Sequence, residues 1–218
     1  MVPRTSTTAT QLARFVVSGR DDGRRPRSEV ALTFHTNGDL RLAQRLLDVA
    51  ASHEARLTCF IVGSWLEANP SWGRRLLDGG HELANHTFTH PEFAMLSPAA
   101  MRSEIVRCRD VLIRLTGDGG RYFRPSGTDD GLARPSDEVM AAASEAGYSV
   151  VLGWDVDPYD YKDPGPAAVR DRVLADVQPG SIVSLHFGHV GTVDALDEIL
   201  GGLAARALRP VTVTEMLS

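Results

Sequence analysis

The hydrophobic residues of this chain form short, uniformly apolar runs that alternate with longer stretches of helical periodicity. The first run, Val30-Ala-Leu-Thr-Phe34, is followed at 40–53 by apolar side chains recurring every three to four positions. Runs without polar alternation predict strands that are buried on both faces. The same reasoning predicts further strands at 56–62, 81–85, 121–124, 149–154, 181–186 and 211–213, a turn around Trp65, and helices at about 70–79, 98–115, 136–147, 166–177 and 193–208.

Strands separated by helices indicate a parallel sheet that helices cover, either closed into a barrel or open and doubly wound. A chain of 218 residues is long enough for one well-buried core. We therefore predict a single α/β domain at 30–218, preceded by a polar and partly mobile leader at 1–29.

Clusters of polar side chains follow five of the predicted strands. In parallel α/β folds, sites are built at these carboxyl ends of strands. His86 and His90 are four residues apart, which is a metal-ligand spacing, and imidazole is a common ligand of zinc. The other interpretation is that they are two unrelated surface histidines. It is weakened because four further polar clusters also lie at the ends of predicted strands. These are His35, Arg124, Asp155 with Asp157 and Asp160, and His186.

Composition and charge exclude several classes of protein. The formal net charge of −5 disfavours a nucleic-acid partner. No apolar stretch approaches the roughly 18 to 20 residues that span a bilayer. The first residues lack the apolar core and cleavage site of a signal peptide, which predicts either an intracellular protein or a trimmed sequence. Cys59 and Cys108 have no metal-site spacing and are predicted to be buried thiols.

Four segments, in order along the chain, resemble motifs of the polysaccharide deacetylase family, also called the NodB-homology or carbohydrate esterase 4 group. They are His86-Thr-Phe-Thr-His90, Phe123-Arg-Pro-Ser-Gly127, the aspartate-rich 154–161 and Leu185-His186. The resemblance implies a distorted or incomplete (β/α) barrel that removes N-acetyl or O-acetyl groups from an acetylated polysaccharide or oligosaccharide. It also implies a divalent metal cofactor, which we expect to be zinc, and an extracellular or cell-envelope location. It implies no oligomeric state.

The resemblance also implies a role for each matching residue. His86 and His90 would be metal ligands, and His186 the general acid that protonates the leaving group. Asp160 would pair with His186 and keep it charged. The aromatic candidates for contact with a sugar ring are Trp154 and Tyr161, although Trp154 equally fits a place in the core. In the family Arg124 would hold the base aspartate, which is absent here; it would then bind Asp39 or a substrate carboxylate, or else form a structural salt bridge with Asp129, Asp130 or Asp155.

The first motif departs from the family pattern. Members usually read T-F-D-D-G-P, with the first aspartate as base and the second as metal ligand, whereas this chain reads Thr33-Phe-His-Thr-Asn-Gly-Asp39. Three replacements remain open: His35 as base, His35 as a third nitrogen ligand, or Asp39 as a displaced carboxylate ligand. The fourth interpretation is a domain that has lost catalysis and binds glycan or regulates without deacetylating.

Overall fold

The fold is described from a computed structural model, which covers residues 12–20 and 28–218. In this part of the chain, eight strands, all parallel to their neighbours, form one sheet in the order β1-β6-β5-β4-β3-β2-β7, with β8 pairing with the start of β2. The strands are β1 (Arg14–Val16), β2 (Glu29–Thr36), β3 (Thr58–Ile61), β4 (Glu82–Asn85), β5 (Tyr122–Phe123), β6 (Val150–Leu152), β7 (Ile182–His186) and β8 (Arg209–Pro210).

The α-helices of the described ranges connect the strands and pack outside the sheet. Several begin at side chains that accept hydrogen bonds from the first free amides, such as Ser97 and Ser136. The helices are α1 (Leu40–Ser52), α2 (Gly63–Ala68), α3 (Ser71–Asp78), α4 (Pro98–Thr116), α5 (Asp137–Glu145), α6 (Pro166–Asp176), α7 (Val190–Ala205) and α8 (Val213–Met216).

The sheet curves into a distorted (β/α) barrel, as expected from the resemblance. The two ends of the sheet meet without a continuous ladder. Single bridges join Val156 to Val183 and Ser18 to Ser181, and the Arg20 guanidinium pairs with the Asp155 carboxylate beside them. The main apolar cluster lies between the sheet and helices α1, α2, α3, α4, α6 and α7, and packing against these helices holds β2, β3 and β7 in place.

Register brings the predicted polar clusters together. β2 pairs with both β3 and β7, and this pairing sets His35 directly beside His186. β4 pairs with β3 on the other side and ends immediately before His86. Because all of these strands run in the same direction, their carboxyl ends open onto one edge of the barrel.

Three sequence expectations need correction. The leader assigned to 1–29 contains β1, which pairs with β6, so the barrel begins before residue 30; 1–11 and 21–27 lie outside the described residues. The turn predicted around Trp65 is the short helix α2. The last strand, expected at 211–213, is two residues long and ends earlier, because Thr212 and Glu215 form a capping box that starts α8.

The expectation for the two cysteines is confirmed. Both cysteines are buried free thiols. Among the described residues, no helix is both long enough and apolar enough to cross a bilayer.

Candidate active site

Three histidines from two strand ends form a compact cluster of nitrogen donors. One ring nitrogen from each of His35, His86 and His90 lies within 4.8 Å of the others. The His35 ring centroid is 4.2 Å from that of His86, and the His86 centroid is 4.9 Å from that of His90. Burial is the main cause that lowers the pKa of all three, so they are neutral at neutral pH and each ring has one unprotonated nitrogen.

His86 has a free lone pair directed into a buried space. Its Nδ1 lies 2.9 Å from the Arg124 carbonyl oxygen, and because a carbonyl only accepts, Nδ1 carries the proton. Its Nε2 is buried and has no hydrogen-bond partner among the described residues. Metal-ligating histidines are commonly oriented in this way, by a carbonyl on the other ring nitrogen. A divalent cation therefore fits this donor set.

Beside the cluster, His186 forms a tightly held pair with Asp160. His186 Nδ1 is 2.7 Å from Asp160 Oδ1, and the His186 backbone amide donates to Oδ2 at 2.8 Å. Thr192 Oγ1 also donates to Oδ2, at 2.6 Å, so the fully buried carboxylate is satisfied by three donors. The ring centroid of His186 lies 4.3 Å from that of His35.

Arg124 is completely buried and has no carboxylate within ion-pair distance in the described part of the chain. Its guanidinium donates to the carbonyls of Leu152 and Gly153, to Thr33 Oγ1 at 2.9 Å, and to His35 Nε2 at 3.2 Å. Burial lowers the pKa of Arg124 to about 9. An arginine can only donate, so His35 Nε2 is unprotonated in this contact.

These groups open onto a cavity of about 240 Å³. Trp154 and Tyr161 form part of its wall, and the Tyr161 ring centroid is 5.5 Å from that of His186. The lining residues are His35, Asn37, His90, Gly127, Thr128, Asp129, Trp154, Asp157, Tyr161, Ser184, His186 and His189.

Comparison with known proteins identifies the family. The family model described as polysaccharide deacetylase matches residues 22–151. A peptidoglycan-N-acetylglucosamine deacetylase of Bacillus cereus is 32% identical over 198 residues, which cover 87% of this chain and 68% of that protein. The chain belongs to the polysaccharide deacetylase family.

Two further comparisons bear on this deacetylase-family chain. A chitooligosaccharide deacetylase of Sinorhizobium fredii is 35% identical over 161 residues, 73% of this chain and 72% of that protein. The crystal structure of a carbohydrate esterase 4 pseudoenzyme from Bacillus anthracis superposes with a TM-score of 0.82 at 26% identity, covering 94% of this chain and 69% of that one. A mutant of that pseudoenzyme, described as having restored enzymatic activity, matches equally well.

The structure does not bring Asp39 to the histidine cluster. Its carboxylate accepts hydrogen bonds from the Arg41 and Leu42 amides as the N-cap of α1, and its side chain is half exposed. A carboxylate placed here stabilises the helix start and is already occupied. The third member of the donor set is His35 instead.

The salt bridge considered for Arg124 is also absent from the described part of the chain. Asp155 pairs with Arg20, and Asp130 accepts from the amides of Leu132 and Ala133. Trp154 lies in the core, where it is 3% exposed, and its ring also borders the cavity; contact with a sugar ring stays a prediction. Its indole N–H donates to Asp157 Oδ2 at 3.1 Å.

Sequence reasoning missed several residues that shape the site. Thr192 completes the shell of Asp160 from the first turn of α7, and Ser184 Oγ lies 3.4 Å from His35 Nε2 across the β2–β7 pair. Their small polar side chains carry no spacing signal of their own. For Ser184, the signal that could have found it is strand alternation, which places it on the same face as His186.

Proposed function

We propose that this chain is a metal-dependent hydrolase that removes N-acetyl groups from a glycan. The observation that carries the proposal is the convergence of three neutral imidazoles and the His186–Asp160 pair on one cavity. The imidazole cluster provides a site for a Lewis acid and the pair provides a proton donor, which are two of the functions that amide hydrolysis uses.

The cation would be held by His35, His86 and His90, with the His35 ring exchanging its contact with the Arg124 guanidinium for the cation. When bound, it would supply Lewis-acid polarisation of the acetyl carbonyl. We infer zinc, because three nitrogen donors with an open position are typical of catalytic zinc sites. The carbonyl that holds His86 Nδ1 fixes the ring before the cation arrives, and the same arrangement orients its free lone pair.

His186 would protonate the departing amine. Asp160 occupies its Nδ1, so the proton must leave from Nε2. Because Asp160 is itself held by a backbone amide and by Thr192, the His186 ring has little freedom to turn away from the cavity.

The chain lacks the carboxylate that would take the proton of the attacking water. His35 occupies that place, and the buried Arg124 guanidinium beside it opposes a second positive charge on its ring. A positioned general base contributes about 10²- to 10⁴-fold to a rate. We therefore expect deacetylation that is slower by about this factor than in family members with the aspartate.

The substrate we propose is a glycan containing N-acetylglucosamine, at the cell envelope. The relatives that support this proposal are named as deacetylases of peptidoglycan and of chitooligosaccharide. The cavity wall also suits a neutral sugar, since Asp129 and Asp157 disfavour anionic groups while Trp154 and Tyr161 offer aromatic faces.

The test combines metal analysis with acetate release. Protein purified without chelator should contain close to one equivalent of divalent metal, and should release acetate from N-acetylglucosamine oligomers or peptidoglycan. His86→Ala should lose both metal and activity, whereas His186→Asn should keep the metal and lose activity. Acetate release that persists after complete removal of metal would contradict the proposal.

A second candidate is a domain that binds glycan without deacetylating it. The observation in its favour is that both motif aspartates are replaced, which leaves Arg124 without an anionic partner among the described residues. The similarity to a protein described as a pseudoenzyme supports it as well. Metal-loaded protein that binds acetylated oligosaccharides and releases no acetate would establish this alternative.

A further inference from the structure

The loop that carries the two motif histidines has an unfavourable backbone conformation. Thr87 and His90 have φ angles of +70° and +60°, in the left-handed region that non-glycine residues seldom adopt. For a β-branched residue such as Thr87 the conformation is costly, by about 1 to 3 kcal/mol. Such a conformation persists only where surrounding contacts determine it.

Two side chains from outside the loop bind its backbone. Asn85 Oδ1 accepts from the Thr87 amide at 2.9 Å. On the opposite side, Glu104 Oε2 accepts from the Phe88 amide at 2.9 Å and from the Thr89 amide at 2.7 Å, while Glu104 Oε1 accepts from Thr89 Oγ1 at 3.0 Å. A single carboxylate thus holds the two residues that immediately precede His90.

We propose that Glu104 is a positioning residue that fixes His90 against His86. This inference rests on the metal site proposed above. Hydrogen bonds from backbone amides to a carboxylate are charge-assisted and about twice as strong as neutral ones. Glu104 lies within the nineteen-residue helix α4, which is anchored through Ile105 and Cys108 in the core, so the carboxylate is presented from a rigid element.

Without this anchor, the loop retains the bond from the Thr87 amide to Asn85, the bond from Thr87 Oγ1 to Ser126 Oγ, and two bonds that the Gly63 and Ser64 amides donate to the carbonyls of Thr87 and Phe88. None of these contacts involves Thr89, the residue next to His90. We therefore expect His90 to sample more positions relative to His86 when Glu104 is removed, and the cation to bind more weakly. Partners that orient metal ligands typically contribute about 10- to 100-fold to metal affinity.

The test compares Glu104→Ala, Glu104→Asp and Glu104→Gln with wild-type protein. The control is Asp110→Ala on the same helix, since Asp110 is exposed and contacts only Arg109 among the charged groups of the structure described here. Zinc affinity is measured by competition with a chelator, and the cobalt-substituted protein is examined by its visible absorption. Thermal unfolding of the metal-free proteins reports whether each variant folds.

Glu104→Ala and Glu104→Asp should bind zinc about 10- to 100-fold more weakly, with an altered cobalt spectrum. Glu104→Gln should largely restore affinity, because its amide oxygen can accept both backbone bonds while its NH2 donates to Thr89 Oγ1. If wild-type protein binds zinc and Glu104→Asp, folded, binds it equally well, the inference is wrong and the proposed function stands. If wild-type protein binds neither metal, both are refuted.

Discussion

Restoring both aspartates of the first motif tests the chemistry of this site most directly. In the variant His35→Asp/Thr36→Asp, the carboxylate at 35 would face the Arg124 guanidinium, whose Nη1 now lies 3.2 Å from His35 Nε2. Arg124 is fully buried, its pKa is lowered to about 9, and no carboxylate in the described part of the chain lies within ion-pair distance of it. The new carboxylate would supply such an anion and would be kept ionised by the guanidinium.

The expected magnitudes follow from this geometry. Opposite charges about 4 Å apart attract by about 4 kcal/mol at an effective dielectric constant of 20. Desolvation of the carboxylate at 35 opposes this by several kcal/mol, and the second carboxylate replaces the fully buried Thr36, so the free energy of unfolding of the metal-free variant should fall. The rate should rise, because a general base contributes about 10²- to 10⁴-fold, equivalent to about 3 to 5 kcal/mol of barrier.

The assay is acetate release from N-acetylglucosamine oligomers by metal-loaded protein, measured with urea unfolding in parallel. The matched control adds Arg124→Met to the double variant, which leaves the carboxylate buried without its cation and should abolish most of the gain. A folded double variant that holds its metal and hydrolyses no faster than wild-type protein would refute the reasoning, because the missing base would then not limit the reaction.

Three other predictions concern separate features. Asp160→Asn should lower kcat for acetate release by about 10²- to 10⁴-fold while metal content is unchanged, since the His186 ring loses its anionic partner. His81 accepts a hydrogen bond from the Leu57 amide, and burial lowers the pKa of His81 to about 4. Its neutral form therefore adds stability that is complete above pH 6.5 and is lost as the pH falls towards 4, by up to about 3 kcal/mol. His81→Asn should flatten this part of the pH profile of the free energy of unfolding, measured with urea. Gly131→Ala would place a Cβ in steric overlap with the Trp154 ring. It should lower the free energy of unfolding by about 1 to 3 kcal/mol and change the tryptophan fluorescence. The control Gly201→Ala has open space at its Cβ within α7 and should not destabilise the protein.

Long periodic segments of the fold were predictable from the sequence. β2 and α4 were predicted close to their observed bounds. A strand buried on both faces leaves a continuous apolar run, whereas a helix buried along one stripe leaves apolar residues every three to four positions. β1 was missed, because its three residues are too few to show a period, although the run at 15–17 is apolar. α8 was missed because its capping box outweighs the β-branched residues around it.

The site was partly predictable for a related reason. The sequence alone shows the four-residue spacing of His86 and His90 and the position of His186 at the end of an apolar run. The contact between His35 and Arg124 joins residues 89 positions apart and depends on strand register. Asp39 was predicted from spacing as a possible metal ligand, but its carboxylate accepts hydrogen bonds from the first amides of α1. Spacing in the sequence does not show which of these two roles a carboxylate has.

The pairing of β1 with β6 has a practical consequence for anyone who expresses this domain in pieces. A fragment cut to the family match at 22–151 would discard β1 and with it Arg20, whose guanidinium contacts Asp155 where the two margins of the sheet meet. It would also remove β7 and with it His186. Such a truncated gene product would expose unpaired strand edges, and insoluble material from it would reflect the choice of boundaries rather than an unstable parent protein.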